Sequence, residues 1–421
     1  MDYSKFISEH SKSRNPSSIR ALMPYMNRKD IISLGAGQPN PATFPFDSMT
    51  VKLKNGDVIE MDPELFQRCL SYDSTPGLKP LQDWLRTLQK IEHQPPIDFD
   101  LIIGAGSQDL ITKAMEMLIN PGDAVLVENP AYTGLLAFLQ SQPCDVVGLP
   151  TDENGLIPES FDKLLAQWPA SNPYGKETTP RPKVLYTTPI GSNPTGLSIS
   201  EERKTQIYAI CQKYDLIIVE DLAYYYLQFA EKRTKSFFSM DVDGRVLCCE
   251  SMSKIISSGL RLGYLSGPTE LLDRINMHSM TTNLQPSGLS QLVAYELLNN
   301  WGHQGFFQHV RQVADFYLQK RDLFIDSLEK YMKGRAEWVT PSAGMFVWLK
   351  LKNITSSYDL IMNKALKKRV VAIPGNAFLP IADGHSPYVR VSFSNVSKEE
   401  MDEALRRLAQ VLDEEIMNGC K

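Results

Sequence analysis

The sequence predicts an α/β fold: a large domain on a mostly parallel sheet, followed by a smaller α+β domain. Short apolar runs such as Leu101–Ile103, Val184–Thr187 and Leu216–Val219 alternate with amphipathic helical stretches, the pattern of parallel strands buried on both faces. Several of these runs end in turns rich in glycine, asparagine or carboxylate, where open α/β sheets bind ligands. Beyond Leu272 the pattern turns helical and then returns to short strands, which marks a second domain. The expected boundaries are an N-terminal arm over 1–30, a large domain over 31–310 and a small domain over 311–421 that takes in part of the N-terminal segment.

Taken in order, the arm carries a weak helix near Ser18 to Met26, and Ile31 to Pro39 reads as a short strand followed by a glycine and proline turn. Tyr72 to Gly77 is a turn that opens a helix with Leu78, Leu81, Trp84 and Leu85 on its apolar face. Leu101 to Gln108 is strand, glycine turn and helix start, and free N–H groups at such a start make Ser107 and Gln108 phosphate candidates. Asp109 stands where a dinucleotide fingerprint needs its third glycine. The alternation continues through Ala124–Val127, the turn to Tyr132, and Val146–Leu149. A proline-rich, polar stretch from Trp168 to Pro182 reads as an exposed excursion without chemistry. Val184–Thr187 leads into the special turn Asn193-Pro194-Thr195-Gly196, and Leu216 to Asp221 ends in two carboxylates. Ser107, Tyr132, Asn193, Asp221 and the loop holding Lys254 all fall at strand carboxyl ends. The small domain is expected to hold strands near Gly344–Lys350 and Tyr388–Phe393 and a final helix from Lys398.

Composition narrows the class. A chain of 421 residues suits two domains rather than one core. A net charge of −5 without basic runs argues against nucleic acid or an anionic membrane surface as partner. No apolar run reaches the ~20 residues of a membrane span. Six cysteines show neither metal spacing nor a secretory framework, so a reducing compartment and no metal are expected. Lys5, Lys12, Arg14 and Arg20 among serines have some transit-peptide character, which Asp2 and Glu9 weaken. The expectation is a cytoplasmic protein, with the mitochondrial matrix as alternative.

The chemistry centres on Lys254, in a loop between the apolar runs Val246–Cys249 and Leu262–Ser266. A lysine held there must be paired, deprotonated or covalently consumed, and a Schiff base with an aldehyde cofactor consumes it. Ser251, Ser253 and Arg261 offer two hydroxyls and a guanidinium suited to phosphate. Phosphate beside a reactive lysine suggests pyridoxal 5′-phosphate.

Together, Asn193-Pro194-Thr195-Gly196, Asp221-x-x-Tyr224, Ser251-x-Ser253-Lys254 with Arg261-x-Gly263, and Tyr388-x-Arg390 resemble the signature of fold-type I pyridoxal-phosphate aminotransferases. The segments Tyr224 to Phe229, Ser239 to Arg245, Gly344 to Phe346 and Pro374 to Phe378 are similar to the kynurenine/α-aminoadipate aminotransferase subfamily and its fungal aromatic relatives. The resemblance implies a mostly parallel seven-stranded sheet and a homodimer with shared active sites. It implies the cofactor bound covalently on Lys254, which also moves the proton at the substrate Cα. Asp221 would keep the pyridine nitrogen protonated; Glu220 is the rival, but strand alternation points it elsewhere. Asn193 and Tyr224 would bind the ring oxygen and Tyr132 would stack on the ring. Ser107, Gln108, Ser251, Ser253 and Arg261 would hold the phosphate, with Tyr72 reaching in from the other subunit. Arg390 would clamp the substrate carboxylate with help from Gly37 and Asn193, and Arg20, Gln38, Leu284 and Phe346 would line the side-chain pocket. Two departures from the family pattern stand out: Leu222-Ala223 replaces a pair ending in proline, and Gln38 replaces an apolar residue.

The implied reaction moves an amino group from kynurenine, 2-aminoadipate or an aromatic amino acid to 2-oxoglutarate. A β-lyase or decarboxylase is the alternative enzyme. A regulator with an aminotransferase-like sensor is disfavoured, because the arm before Ile31 has no room for a winged helix.

Overall fold

The computed structural model describes residues 1–421 apart from 17, 20, 21, 23, 24, 26, 27, 29, 33, 36, 175–177, 382, 383, 420 and 421. Arg20 and most of the weak helix expected around it lie outside the described residues. The chain forms two compact units, Met1–Asn120 with Phe237–Gln308 and Pro121–Ser236 with His309–Lys421. The strands that position functional residues are, in chain order, β1 (Asp100–Gly104), β2 (Ala124–Asn129), β3 (Asp145–Asp152), β4 (Val184–Thr187), β5 (Ile217–Asp221), β6 (Val246–Ser251), β7 (Gly263–Gly267), β8 (Phe346–Leu351), β9 (Ile373–Pro374) and β10 (Tyr388–Ser392).

In the first unit, β1 and β6 each pair antiparallel with β7. They are therefore parallel to one another, with their carboxyl ends on one side. Gly263 lies opposite both Gly104 and Ser251, so one glycine faces both exit points. Against this sheet lies the helix Lys79–Glu92, whose Leu81, Leu85 and Leu88 are buried; each such leucine contributes roughly 2 kcal/mol. Pro80 in its first turn supplies a helical φ without the loss of a hydrogen bond.

In the second unit, β5, β4, β2 and β3 are parallel neighbours in that order. Every residue of β4 and of β5 is buried, as the uninterrupted apolar runs require. A separate antiparallel sheet pairs β8 with β10 and β10 with β9. Arg390 thus sits on a strand hydrogen-bonded on both sides.

Two expectations change. Among the described residues of 31–39 no strand forms, and Ile32 and Leu34 are exposed; an extended run needs a neighbour for its backbone groups, and no pairing there is recorded among the described residues. The stretch from Trp168 is not a simple excursion. Trp168 is buried and its Nε1 donates to the carbonyls of Thr179 and Pro180, while Asn172 donates to Thr179 Oγ1. The indole folds the loop back on itself, which proline content alone does not reveal.

Candidate active site

The first unit carries the lysine and an anion cradle. After β1 the chain turns at Gly106, with φ 97°, into the helix Ser107–Leu118. A Cβ at Gly106 would meet Arg261 Nη2 at 2.5 Å, and one at Gly263 would meet the Ser107 nitrogen at 2.5 Å. Glycine is required at both places, because guanidinium and helix start approach the backbone directly. Asp109, where a dinucleotide site wants glycine, accepts from the Ala105 N–H and pairs with Lys113. It closes the helix start from within.

At the end of β6, Ser251 caps a short 3₁₀ turn, its Oγ accepting from the Ser253 N–H at 3.2 Å. Lys254 is the last residue of that turn and is half-buried. Arg261 adopts a left-handed backbone, φ 53°, which an arginine tolerates only where its surroundings over-determine it. Its guanidinium donates to Ser253 Oγ at 3.4 Å, Ser258 O at 3.2 Å and Ala105 O at 3.3 Å. Ser107, Ser251, Ser253, Lys254 and Arg261 thus gather at the carboxyl ends of two parallel strands. Gln108 is the second residue of the helix. Elsewhere in this unit Gln38, Tyr72 and Leu284 line a cavity of about 420 Å³ with Phe44, Asn283 and Gln285. Gly37 has open space where a Cβ would stand.

The second unit carries a buried polar cluster. Asp221, at the end of β5, accepts from the Tyr186 hydroxyl at 2.7 Å and from the Ala223 N–H at 3.2 Å. Tyr186 pairs in register with Val219, two residues before Asp221, so both side chains stand on one face of the sheet. Glu220 points the other way, toward Lys204, whose ammonium burial pushes down to about 8. The alternation expected from the sequence is what separates the two carboxylates. On that opposite face Glu128 accepts from Thr187 Oγ1 at 2.7 Å, and full burial pushes its carboxyl up to about 7.

Arg390 donates to Asn193 Oδ1 at 2.8 Å, and its guanidinium lies 4.3 Å from the Phe346 ring centre and 5.1 Å from that of Phe378. Two aromatic faces fix the plane of the fork. Burial lowers the proton affinity of Arg390, partly offset by Tyr224 and Tyr132. Tyr224 is held well above the usual phenol range by burial and by the Asp221 charge, and its ring meets Phe346 edge to face at 5.7 Å. The special turn is fixed by Gly196, where a Cβ would strike the Phe346 carbonyl at 2.6 Å. Asn193, Asp221, Tyr224, Phe346 and Arg390 therefore come together, and Tyr132 interacts electrostatically with this cluster. Tyr186 and Phe378 were missed as functional residues. The signal for Tyr186 was a lone hydroxyl in an apolar strand, on the face that Asp221 uses.

The chemistry of both sets fits pyridoxal phosphate. The first unit offers a helix start, serine hydroxyls and a guanidinium for phosphate, with an amine in the same loop. The second offers a buried carboxylate for a protonated pyridine nitrogen and a planar cation for a carboxylate.

Comparison with known proteins follows the same lines. The family described as aminotransferase class I and II matches residues 29–408. Rat mitochondrial kynurenine/alpha-aminoadipate aminotransferase is 44% identical, covering 98% of this chain and 99% of its own. Among solved structures, the aminotransferase Aro8 of Candida albicans superposes with TM-score 0.88 at 28% identity, covering 99% of each chain. Pyrococcus horikoshii kynurenine aminotransferase, solved in complex with PMP, matches at TM-score 0.75 and 28% identity, over 99% of this chain and 98% of its own. This chain belongs to the class I and II aminotransferases, a family that works with pyridoxal phosphate.

Proposed function

We propose that this chain transfers the amino group of an L-amino acid, with kynurenine, 2-aminoadipate and aromatic amino acids as donors, to 2-oxoglutarate, giving a 2-oxo acid and L-glutamate. With kynurenine the oxo product would cyclise to kynurenic acid. The observation that carries this reading is Arg390, a guanidinium whose plane is fixed by two phenylalanines and one asparagine. Such a fork matches a substrate α-carboxylate. The identity to the rat enzyme supports the donor class.

When bound, pyridoxal phosphate supplies an aldehyde for the amine and a ring that accepts electrons. Lys254 would hold it covalently and, with its amine free, could take the substrate Cα proton as a general base. Asp221 would keep the pyridine nitrogen protonated. Asn193 and Tyr224 would donate to the ring oxygen, and Tyr132 would cover the ring face. Ser107, Gln108, Ser251, Ser253 and Arg261 hold the phosphate. Tyr72, exposed in the single chain, serves the site of a second copy in a homodimer. Gly37, Gln38, Leu284, Phe346 and Arg20 select the donor side chain. The mitochondrial relatives favour the matrix over the cytoplasm; among the described residues no helix is long and apolar enough to cross a membrane.

A panel of amino donors assayed with 2-oxoglutarate tests the reading. Glutamate formed in equal amount to donor consumed supports transfer; ammonia or carbon dioxide released without an acceptor would mean a lyase or decarboxylase instead.

A further inference from the structure

Lys113 lies on the helix Ser107–Leu118 and is only 4% exposed, and the proposed chemistry gives it no role. A buried ammonium must be paired, and this one joins two parts of the first unit. It pairs with Asp109 at 2.8 Å and donates to Asn283 Oδ1 at 3.0 Å. Asp109 leads to the anion cradle: it accepts from the Ala105 N–H at 3.1 Å, and the Ala105 carbonyl accepts from Arg261 at 3.3 Å. Asn283 leads to the cavity of about 420 Å³ that it lines with Gln38, Tyr72 and Leu284. Leu284 itself has φ 64°, a left-handed backbone that a leucine holds only where its surroundings over-determine it. They do so on both sides: Lys113 grips the Asn283 side chain, and Gln285 Oε1 accepts from the Asp73 N–H at 2.5 Å.

We propose that Lys113 is a positioning residue with two separable roles: it cancels the charge of Asp109 beneath the phosphate cradle, and it holds the Asn283–Leu284 corner in the shape that receives the donor side chain. The first role follows from charge. A carboxylate in the first turn suits the helix dipole, but to a phosphate bound at the same helix start it is a like charge, and in a partly buried site that repulsion is screened less than in water. Lys113 supplies the compensating cation. The second role follows from strain. Without the ammonium, Asn283 Oδ1 loses a charged donor, and Leu284 can relax from its left-handed backbone, which moves its side chain in the cavity wall.

The inference rests on the proposed reading of this chain as a pyridoxal-phosphate aminotransferase whose Leu284 meets the donor, and the test keeps the two apart. Lys113→Met, Asn283→Ala and the double variant Asp109→Asn with Lys113→Met are compared with the natural chain by spectroscopic titration with pyridoxal phosphate and by initial rates with kynurenine and 2-aminoadipate. Lys113→Met should bind the cofactor roughly tenfold more weakly, and at saturating cofactor should raise donor KM roughly tenfold with kcat little changed. Asn283→Ala should reproduce the KM change with cofactor affinity kept. The double variant has lost both charges, so it should recover cofactor affinity while KM stays high. A double variant that binds the cofactor as weakly as Lys113→Met overturns the first role, and an unchanged KM in Asn283→Ala overturns the second; both results leave the function intact. If Lys113→Met does not fold, Asp109→Asn alone decides the first role, since it leaves the ammonium uncompensated and should bind the cofactor more tightly than the natural chain. Failure of the natural chain to take up the cofactor overturns the function itself.

Discussion

The lysine loop of the first unit and the polar cluster of the second are built on opposite principles. Around Lys254 stand serine hydroxyls and an exposed guanidinium, joined by hydrogen bonds of 3.2 to 3.4 Å in which the Ser253 N–H and Arg261 donate, and placed by glycines at 106 and 263. Around Asp221 the side chains are buried or half-buried, the Tyr186–Asp221 and Arg390–Asn193 bonds run at 2.7 and 2.8 Å, and aromatic rings wall them in. The first arrangement would spread an anion over many modest donors, so that losing one would be tolerable. The second concentrates charge in low dielectric, where an unpartnered group is costly.

That contrast can be broken at Lys254, the one member of the open loop with no substitute. Lys254→Ala should lower kcat roughly 10²- to 10⁴-fold, the range of a lost general base, and abolish the absorbance of covalently held cofactor. Circular dichroism should be unchanged, because Lys254 is half-buried at the end of a short 3₁₀ turn, outside the strands and long helices.

On the buried side, Arg390→Ala should cost about 3 kcal/mol in kcat/KM for every α-amino acid donor. An unaltered value across donors would remove its assigned role.

Glu128 sharpens the comparison through pH. The folded chain keeps its proton up to about pH 7, whereas the unfolded chain releases it near the ordinary value of 4.5. Between these values the folded state binds more protons, so stability falls as pH rises through that window and stays lower above it. Glu128→Gln should therefore be more stable than the natural chain near pH 8, by up to about 3 kcal/mol, and gain nothing near pH 4. Urea unfolding at both pH values checks this.

The smallest effect is expected at the open cradle. Arg261→Ala should weaken pyridoxal phosphate binding only about tenfold, roughly 1.4 kcal/mol, since serine hydroxyls and the helix start remain; spectroscopic titration reads it. A loss as large as that at Arg390 would mean the two regions do not differ as described.

Much of this was legible beforehand. Parallel strands follow from Val184–Thr187 and Leu216–Asp221, because residues buried on both faces leave an uninterrupted apolar run. Strand alternation separated Asp221 from Glu220, and the choice between them rested on the three-residue step from Asp221 to Tyr224 in the family pattern; Lys204 and Thr187 lie on the Glu220 face. The strand expected at 31–39 failed because local apolarity cannot say whether a pairing partner exists. Trp168 was misjudged because its partners lie eleven and twelve residues away.

By itself the sequence determined which residue types could bear the chemistry and on which face of each strand they stand, since periodicity and turn chemistry are local properties. Only the tertiary structure decided which groups satisfy one another: the Tyr186 hydroxyl on Asp221, the Ala223 N–H on the same carboxylate, and Phe346 and Phe378 about Arg390. Those pairings join positions up to 197 residues apart in the chain, and a hydrogen bond depends on distance in space, which no local pattern encodes.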